Sequence, residues 1–250
     1  MNTGTYKFIG RIVAILAATT VPAFGNPVAG QGTWQTTLQA RDLDRNGVVD
    51  AFYDTELNIT WLREVHGPDI WDRENAWANS LKIGGIGNWR LPTMVDTGSP
   101  GCDFSVAGGT DCGANVQTET SEMAHLFYVT LGNKSYCAPG SSGSPDIPFW
   151  CDTPQPGWGL TNTGDFQGLV GDDYWTGLIA YGSGGSTWFF SFFSGFQAWH
   201  GGLVNRDLSL AVHYGDAERE LPEPKSMPLT LVALFAALAL TPTLRRRNQG

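Results

Sequence analysis

Residues 42–50 read Asp-Leu-Asp-Arg-Asn-Gly-Val-Val-Asp and set side-chain oxygens at relative positions 1, 3, 5 and 9, with glycine at 6. Alternating oxygens around a sharp glycine turn are how a loop of the EF-hand type converges on one hard cation. Asp42, Asp44, Asn46 and Asp50 are therefore candidate ligands, and calcium is the candidate cofactor. Position 12, where such a loop carries a bidentate Glu, holds Tyr53, so Asp54 one place later is the substitute candidate. No amphipathic helices flank the stretch, which argues against a calcium sensor. An acidic turn between two strands accounts for the same residues without an ion.

Catalytic patterns are sparse. Four histidines, His66, His125, His200 and His213, offer general bases, but no G-x-S-x-G elbow, H-E-x-x-H pair, Walker loop or dinucleotide glycine fingerprint accompanies them. Asp172 and Asp173 form the most conspicuous carboxylate pair. Adjacent residues of a strand point to opposite faces, so they are not expected to act as the acid and base of a glycosidase. The reading is of a non-enzymatic protein. Its 10 Trp supply surfaces on which ligands stack, and Trp199 and His200, beside Gly201 and Gly202, together with Trp175, are the candidate ligand-binding residues.

The elements that must position these groups follow from periodicity. The run 52–62 reads as strand, turn, strand, and 69–81 as a helix capped by Asp69 or Asp72, with Trp71, Ala78 and Leu81, or Ala76, Trp77 and Leu81, as its inward stripe. A second helix spans 121–131, with Met123, Leu126, Phe127 and Leu131 inward and Gly132 as its stop. Short strands follow at 174–180, 187–193, 196–200 and 208–214, separated by Gly-rich turns. Hairpin, helix, helix and antiparallel meander in that order predict one α+β domain; a doubly wound fold is excluded because strands do not alternate with helices.

Cys102, Cys112, Cys137 and Cys151 all fall in the Gly/Ser/Pro-rich middle of the chain. An even number in an exported chain reads as two disulfides. Of three pairings, Cys102 with Cys112 and Cys137 with Cys151 is favoured because each closes a short local loop. A zinc site is the rival, without C-x-x-C spacing to support it.

The ends of the 250-residue chain read as addresses. Lys7 and Arg11, an apolar run over 12–21 and the small-residue pattern at 23–25 resemble a secretory signal over 1–25, cleaved by signal peptidase before Asn26. Near the other end, Pro222, Glu223 and Pro224 precede an apolar segment over 228–240 and the cluster Arg245, Arg246 and Arg247. That segment is short of the roughly 20 residues a spanning helix needs. Between the ends, 9 basic residues face 24 acidic ones, a net charge of about −15 against −9 for the whole chain. So negative a surface repels phosphate backbones, and nucleic acid is excluded as a partner.

The triplet, apolar segment and arginine cluster over 222–247 resemble the PEP-CTERM sorting signal, which implies an exosortase as partner, transient anchoring in the inner membrane of a Gram-negative bacterium, and removal of the tail near the triplet. The ordered set YDTELNITWL (53–62), IGGIGNWRLPT (83–93), SEMAHLFYVTLGN (121–133), GLTNTGDF (159–166) and YWTG (174–177) is similar to the Lcl C-terminal domain family over about residues 34–216. That resemblance implies a C-type-lectin-like α+β fold, a single domain with two helices and an antiparallel β meander, and an adhesive role with glycan or matrix ligands. Two departures stand out. The closing strand reads AVHYGD over 211–216 where the family has an arginine, and no EPN or WND motif is present, so calcium-bridged sugar recognition is not implied. The expectation is an exported envelope or extracellular-matrix binding protein with a polysaccharide or matrix ligand. Its competitors are a secreted carbohydrate-active hydrolase and a structural matrix protein without a discrete ligand.

Overall fold

In the computed structural model, described for residues 25–97, 111–143, 151–180 and 184–218, the chain builds two sheets with short helices between and beside them. A helical turn, α1 (Trp34–Thr37), leads into β1 (Leu38–Arg41), which pairs antiparallel with β2 (Ala51–Asp54). The residues 55–58 return the chain into β3 (Ile59–Leu62), as the strand–turn–strand pattern predicts. Asn58 takes the left-handed conformation there (φ 52°), which Asn tolerates. The Asp54 carboxylate accepts from the Glu56 and Leu57 amides at 3.0 and 3.2 Å, closing the turn from within.

After β4 (His66–Asp69) comes helix α2 (Trp71–Ser80). Its N-cap is Ile70 without a side-chain cap, and neither Asp69 nor Asp72 serves. Asp69 instead accepts from the Ile70 amide at 2.8 Å and pairs with Arg73 and Arg206. Trp71, Ala78 and Leu81 pack inward as the first expected stripe, joined by Trp77, whereas Ala76 of the alternative stripe is exposed. The second expected helix begins as α3 (Glu122–His125) behind the cap Ser121, whose oxygen accepts from the Ala124 amide, then widens into a π-helical turn over Leu126–Thr130. The Leu131 amide reaches the Leu126 carbonyl, five residues back, at 2.8 Å. Met123, Leu126, Phe127 and Leu131 are all fully buried, the stripe read from their spacing. Gly132 ends the element at φ +66°; a Cβ there would lie 2.5 Å from the Gly32 amide nitrogen, so close backbone approach as well as helix termination requires glycine.

The second sheet holds β5 (Gly113–Ala114), β6 (Asp173–Ile179), β7 (Ser186–Ser191), β8 (Phe196–Gly201) and β9 (Asp207–Ser209), in the order β4-β9-β6-β7-β8-β5. The run β6-β7-β8 is the expected antiparallel meander, while β9 lies parallel to β6. The strand expected over 208–214 is in fact two. β9 joins the six-stranded sheet, and β10 (Val212–Tyr214) pairs with β3 in the four-stranded sheet, order β1-β2-β3-β10. Leu210 and Ala211, fully buried, carry the chain across. An apolar run buried on both faces reads as one strand in sequence, because periodicity does not mark a change of sheet. The α+β class holds, with three short helical segments instead of two and two sheets instead of one among the described residues.

The main core lies between the sheets, where Trp61, Phe127, Phe190, Phe192 and Tyr174 meet the α3 stripe. A second cluster under α2 gathers Leu43, Trp89, Leu91 and Trp175. Buried indoles each find an acceptor: Trp61 to Asp54, Trp71 to the Thr176 carbonyl, Trp89 to the Ile86 carbonyl, Trp175 to the Asp69 carbonyl and Trp188 to Asp96. Cys137 and Cys151 form the expected disulfide. Cys112 is also disulfide-bonded, and Cys102 lies outside the described residues. Nearly all of the 1–25 signal segment and the whole of the 222–247 tail also lie outside them. Among the described residues no helix is long and apolar enough to cross a membrane.

Candidate functional site

The acidic loop connects β1 to β2. Oxygens of Asp42, Asp44 and Asp50 lie within 4.8 Å of one another, a separation that suits one divalent cation. Backbone amides hold them there: Asn46 and Gly47 donate to Asp42 at 3.1 and 2.8 Å, and Leu43 donates to Asp50 at 2.8 Å. Arg45 and Gly47 both take positive φ, which lets the chain wrap around its own carboxylates. The Asn46 side-chain oxygen is turned to the Val48 amide at 2.7 Å. Asp54 is not part of this group. It sits at the far end of β2, fully buried, where it accepts from the Trp61 indole at 3.3 Å, and burial raises its pKa. Its place one residue past position 12 carries no meaning, because β2 runs straight out of the loop and takes Asp54 away with it.

Trp175, Trp199 and His200 do not make a common surface. Trp175 is fully buried and its indole donates to the Asp69 carbonyl, so it offers no open face. His200 packs 4.9 Å from Trp175 and 4.3 Å from Phe189, with Nε2 held 2.6 Å from Asp207. Trp199, next in the strand, points to the opposite face and leans on Trp188 at 4.9 Å. The carboxylate pair separates too: Asp172 is exposed, while Asp173 is partly buried on β6, and burial raises its pKa.

What the structure does open is a groove across β1 and β2, walled by residues 163–167. Two lobes, of about 620 and 290 Å³, share Ala40, Phe52 and Asp165. Phe52 and Phe166, edge to face at 5.2 Å, form the floor, and Trp34 closes the smaller lobe. The polar rim is Gln35 at one end and Arg63, Gln167 and Asn26 at the other. Arg63 is steadied by the Val49 and Asp165 carbonyls at 3.3 and 3.4 Å. Gly47, Val48 and Val49 of the acidic loop line the larger lobe, so the candidate cation cluster and the groove share a wall. An aromatic floor with a few convergent amide and charged groups is the composition of a small-ligand site. Arg63, Asp165 and Gln167 are not singled out by sequence spacing; only the fold brings GLTNTGDF against the start of the β2–β3 hairpin.

Two of the quoted motifs are joined directly. Arg90 of WRLPT grips Glu122 of SEM through both guanidinium nitrogens at 2.8 and 2.6 Å, and the Thr93 amide donates to the same carboxylate at 2.7 Å. In the closing strand, His213 packs beside Trp89, and burial followed by the nearby Arg90 charge lowers its pKa. Tyr214 lies under the Arg90 guanidinium at 4.0 Å.

Compared with known proteins, the chain matches no family model, no curated protein and no solved structure.

Proposed function

We propose that this chain is an exported binding protein of the cell envelope or extracellular matrix, with a C-type-lectin-like domain that takes a saccharide chain in the groove over β1 and β2. The observation that carries this reading is the groove itself, two lobes that share Ala40, Phe52 and Asp165 and are rimmed by amides, a carboxylate and a guanidinium. Pyranose rings present apolar C–H faces and a belt of hydroxyls, which such a surface meets with Trp34, Phe52 and Phe166 below and Gln35, Gln167 and Arg63 at the side. The sequence resemblances supply the export route and the exosortase partner. The test is a glycan array followed by calorimetry on the intact chain, with Trp34→Ala, Gln167→Ala and Trp199→Ala compared at matched thermal stability. Binding lost in the first two and kept in the third supports the groove. Binding lost only in Trp199→Ala moves the site to β8, product release makes the protein a hydrolase, and silence across the array leaves a structural matrix role.

A further inference from the structure

Asn46–Gly47 is the one Asn-Gly step in the 250-residue chain. Glycine is the residue whose backbone nitrogen a preceding asparagine side chain reaches most easily, because no Cβ stands in the way. Both residues are exposed, and a Cβ at Gly47 would meet no atom within 4 Å, so the rest of the described fold does not crowd this peptide unit. Three hydrogen bonds arrange it. The Val48 amide donates to Asn46 Oδ1 at 2.7 Å, where it polarises the side-chain carbonyl and meets the charge that a nucleophile's addition places on that oxygen. The Gly47 amide donates to Asp42 Oδ2 at 2.8 Å, so a carboxylate already touches the proton that must leave an attacking nitrogen. Asn46 Nδ2 donates to Asp44 Oδ2 at 2.9 Å, which fixes the orientation of the side-chain amide.

We propose that Asn46–Gly47 is a self-modification site, at which the loop converts its own asparagine to aspartate or isoaspartate. The Gly47 nitrogen attacks Asn46 Cγ as its proton passes to the Asp42 carboxylate. The new C–N bond closes a succinimide ring, the Cγ–Nδ2 bond breaks, and ammonia leaves with the proton that Asp42 held. Solvent water then opens the ring. Opening at the side-chain carbonyl gives aspartate; opening at the main-chain carbonyl gives isoaspartate, whose backbone runs through the former side chain. The sum is amide plus water to carboxylic acid plus ammonia, with no oxidant or cofactor. Either product adds a carboxylate to the loop of Asp42, Asp44 and Asp50, and isoaspartate lengthens the backbone that supplies Gly47, Val48 and Val49 to the groove wall.

The experiment incubates the purified chain at neutral pH in chelator and follows the peptide carrying residue 46 by mass spectrometry. Conversion adds about 1 Da, and heavy-oxygen water labels the product at ring opening. A parallel sample held unfolded in urea gives the rate of the Asn-Gly step without the loop's hydrogen bonds. The folded chain should convert at least as fast as the unfolded one, while Asn79–Ser80, exposed on α2, stays unchanged in the fold. Asp42→Asn should slow the folded-state reaction about tenfold. Asp44→Asn removes the same charge without touching the Gly47 amide and should slow it less. Asn46→Gln should abolish the mass gain. A folded chain slower than the unfolded one overturns the proposal whatever the variants do, because the loop then shields the step. Equal slowing by the two aspartate variants overturns the part given to Asp42, and a mass gain that persists in Asn46→Gln overturns the site.

Discussion

Removing Glu122 should expose how firmly the two motif segments are clamped. The Arg90 and Glu122 side chains are only 16% and 14% exposed, and the carboxylate accepts three hydrogen bonds, two from Arg90 and one from the Thr93 amide. Burial acts to lower the Arg90 pKa, but the bonds and charge of Glu122 more than offset it, so the guanidinium stays above its ordinary value. Glu122→Ala would leave that charge with the Leu91 carbonyl at 3.0 Å and the Tyr214 ring as its remaining neighbours, and its Nε already has no partner. Breaking one side of a largely buried pair costs about 3–5 kcal/mol. The residual water access places this site near the lower end, about 3 kcal/mol. For a chain of this size that is roughly 6–12 °C in melting temperature. Replacing both partners, Arg90→Met with Glu122→Leu, should recover most of the loss, because no uncompensated charge remains. Urea unfolding and thermal melts of the two single variants and the double complete the cycle. A Glu122→Ala shift under 2 °C, or a double variant as unstable as the sum of the singles, would refute the clamp.

The buried Asp54 should make stability depend on pH. Its pKa is raised in the folded state, mainly by burial, so its contribution is greatest below the unfolded value of about 3.9 and is lost as pH rises through the folded value. Asp54→Asn should therefore gain on the parent as pH rises above the unfolded value in paired melts; a difference constant with pH contradicts the assignment. Cys137 and Cys151, 14 residues apart, close a ring that should contribute about 3 kcal/mol, so Cys151→Ser should lower the urea midpoint accordingly, and an unchanged midpoint counts against it. Calcium added to the chelated protein should raise the melting temperature through the 42–50 loop, and Asp44→Ala should abolish that response; identical melts with and without the ion retire the cation role.

Local chemistry was legible from the amino-acid order. The β2–β3 hairpin, the α2 and α3 stripes, the Gly132 stop and the Cys137–Cys151 pairing depend on neighbours within about fifteen residues, and periodicity and turn chemistry report such neighbours directly. The clustering of Asp42, Asp44 and Asp50 was legible for the same reason. What tertiary structure decided is every relation between distant segments. It split the run 208–214 between two sheets, buried Trp175, turned Trp199 and His200 to opposite faces, and carried Asp54 away from the acidic loop. It also set Asp165 and Phe166 against Phe52 to open a groove that no contiguous stretch of sequence announces. A side chain's exposure and partners depend on which strands become neighbours, and that pairing is settled by burying the whole apolar surface at once.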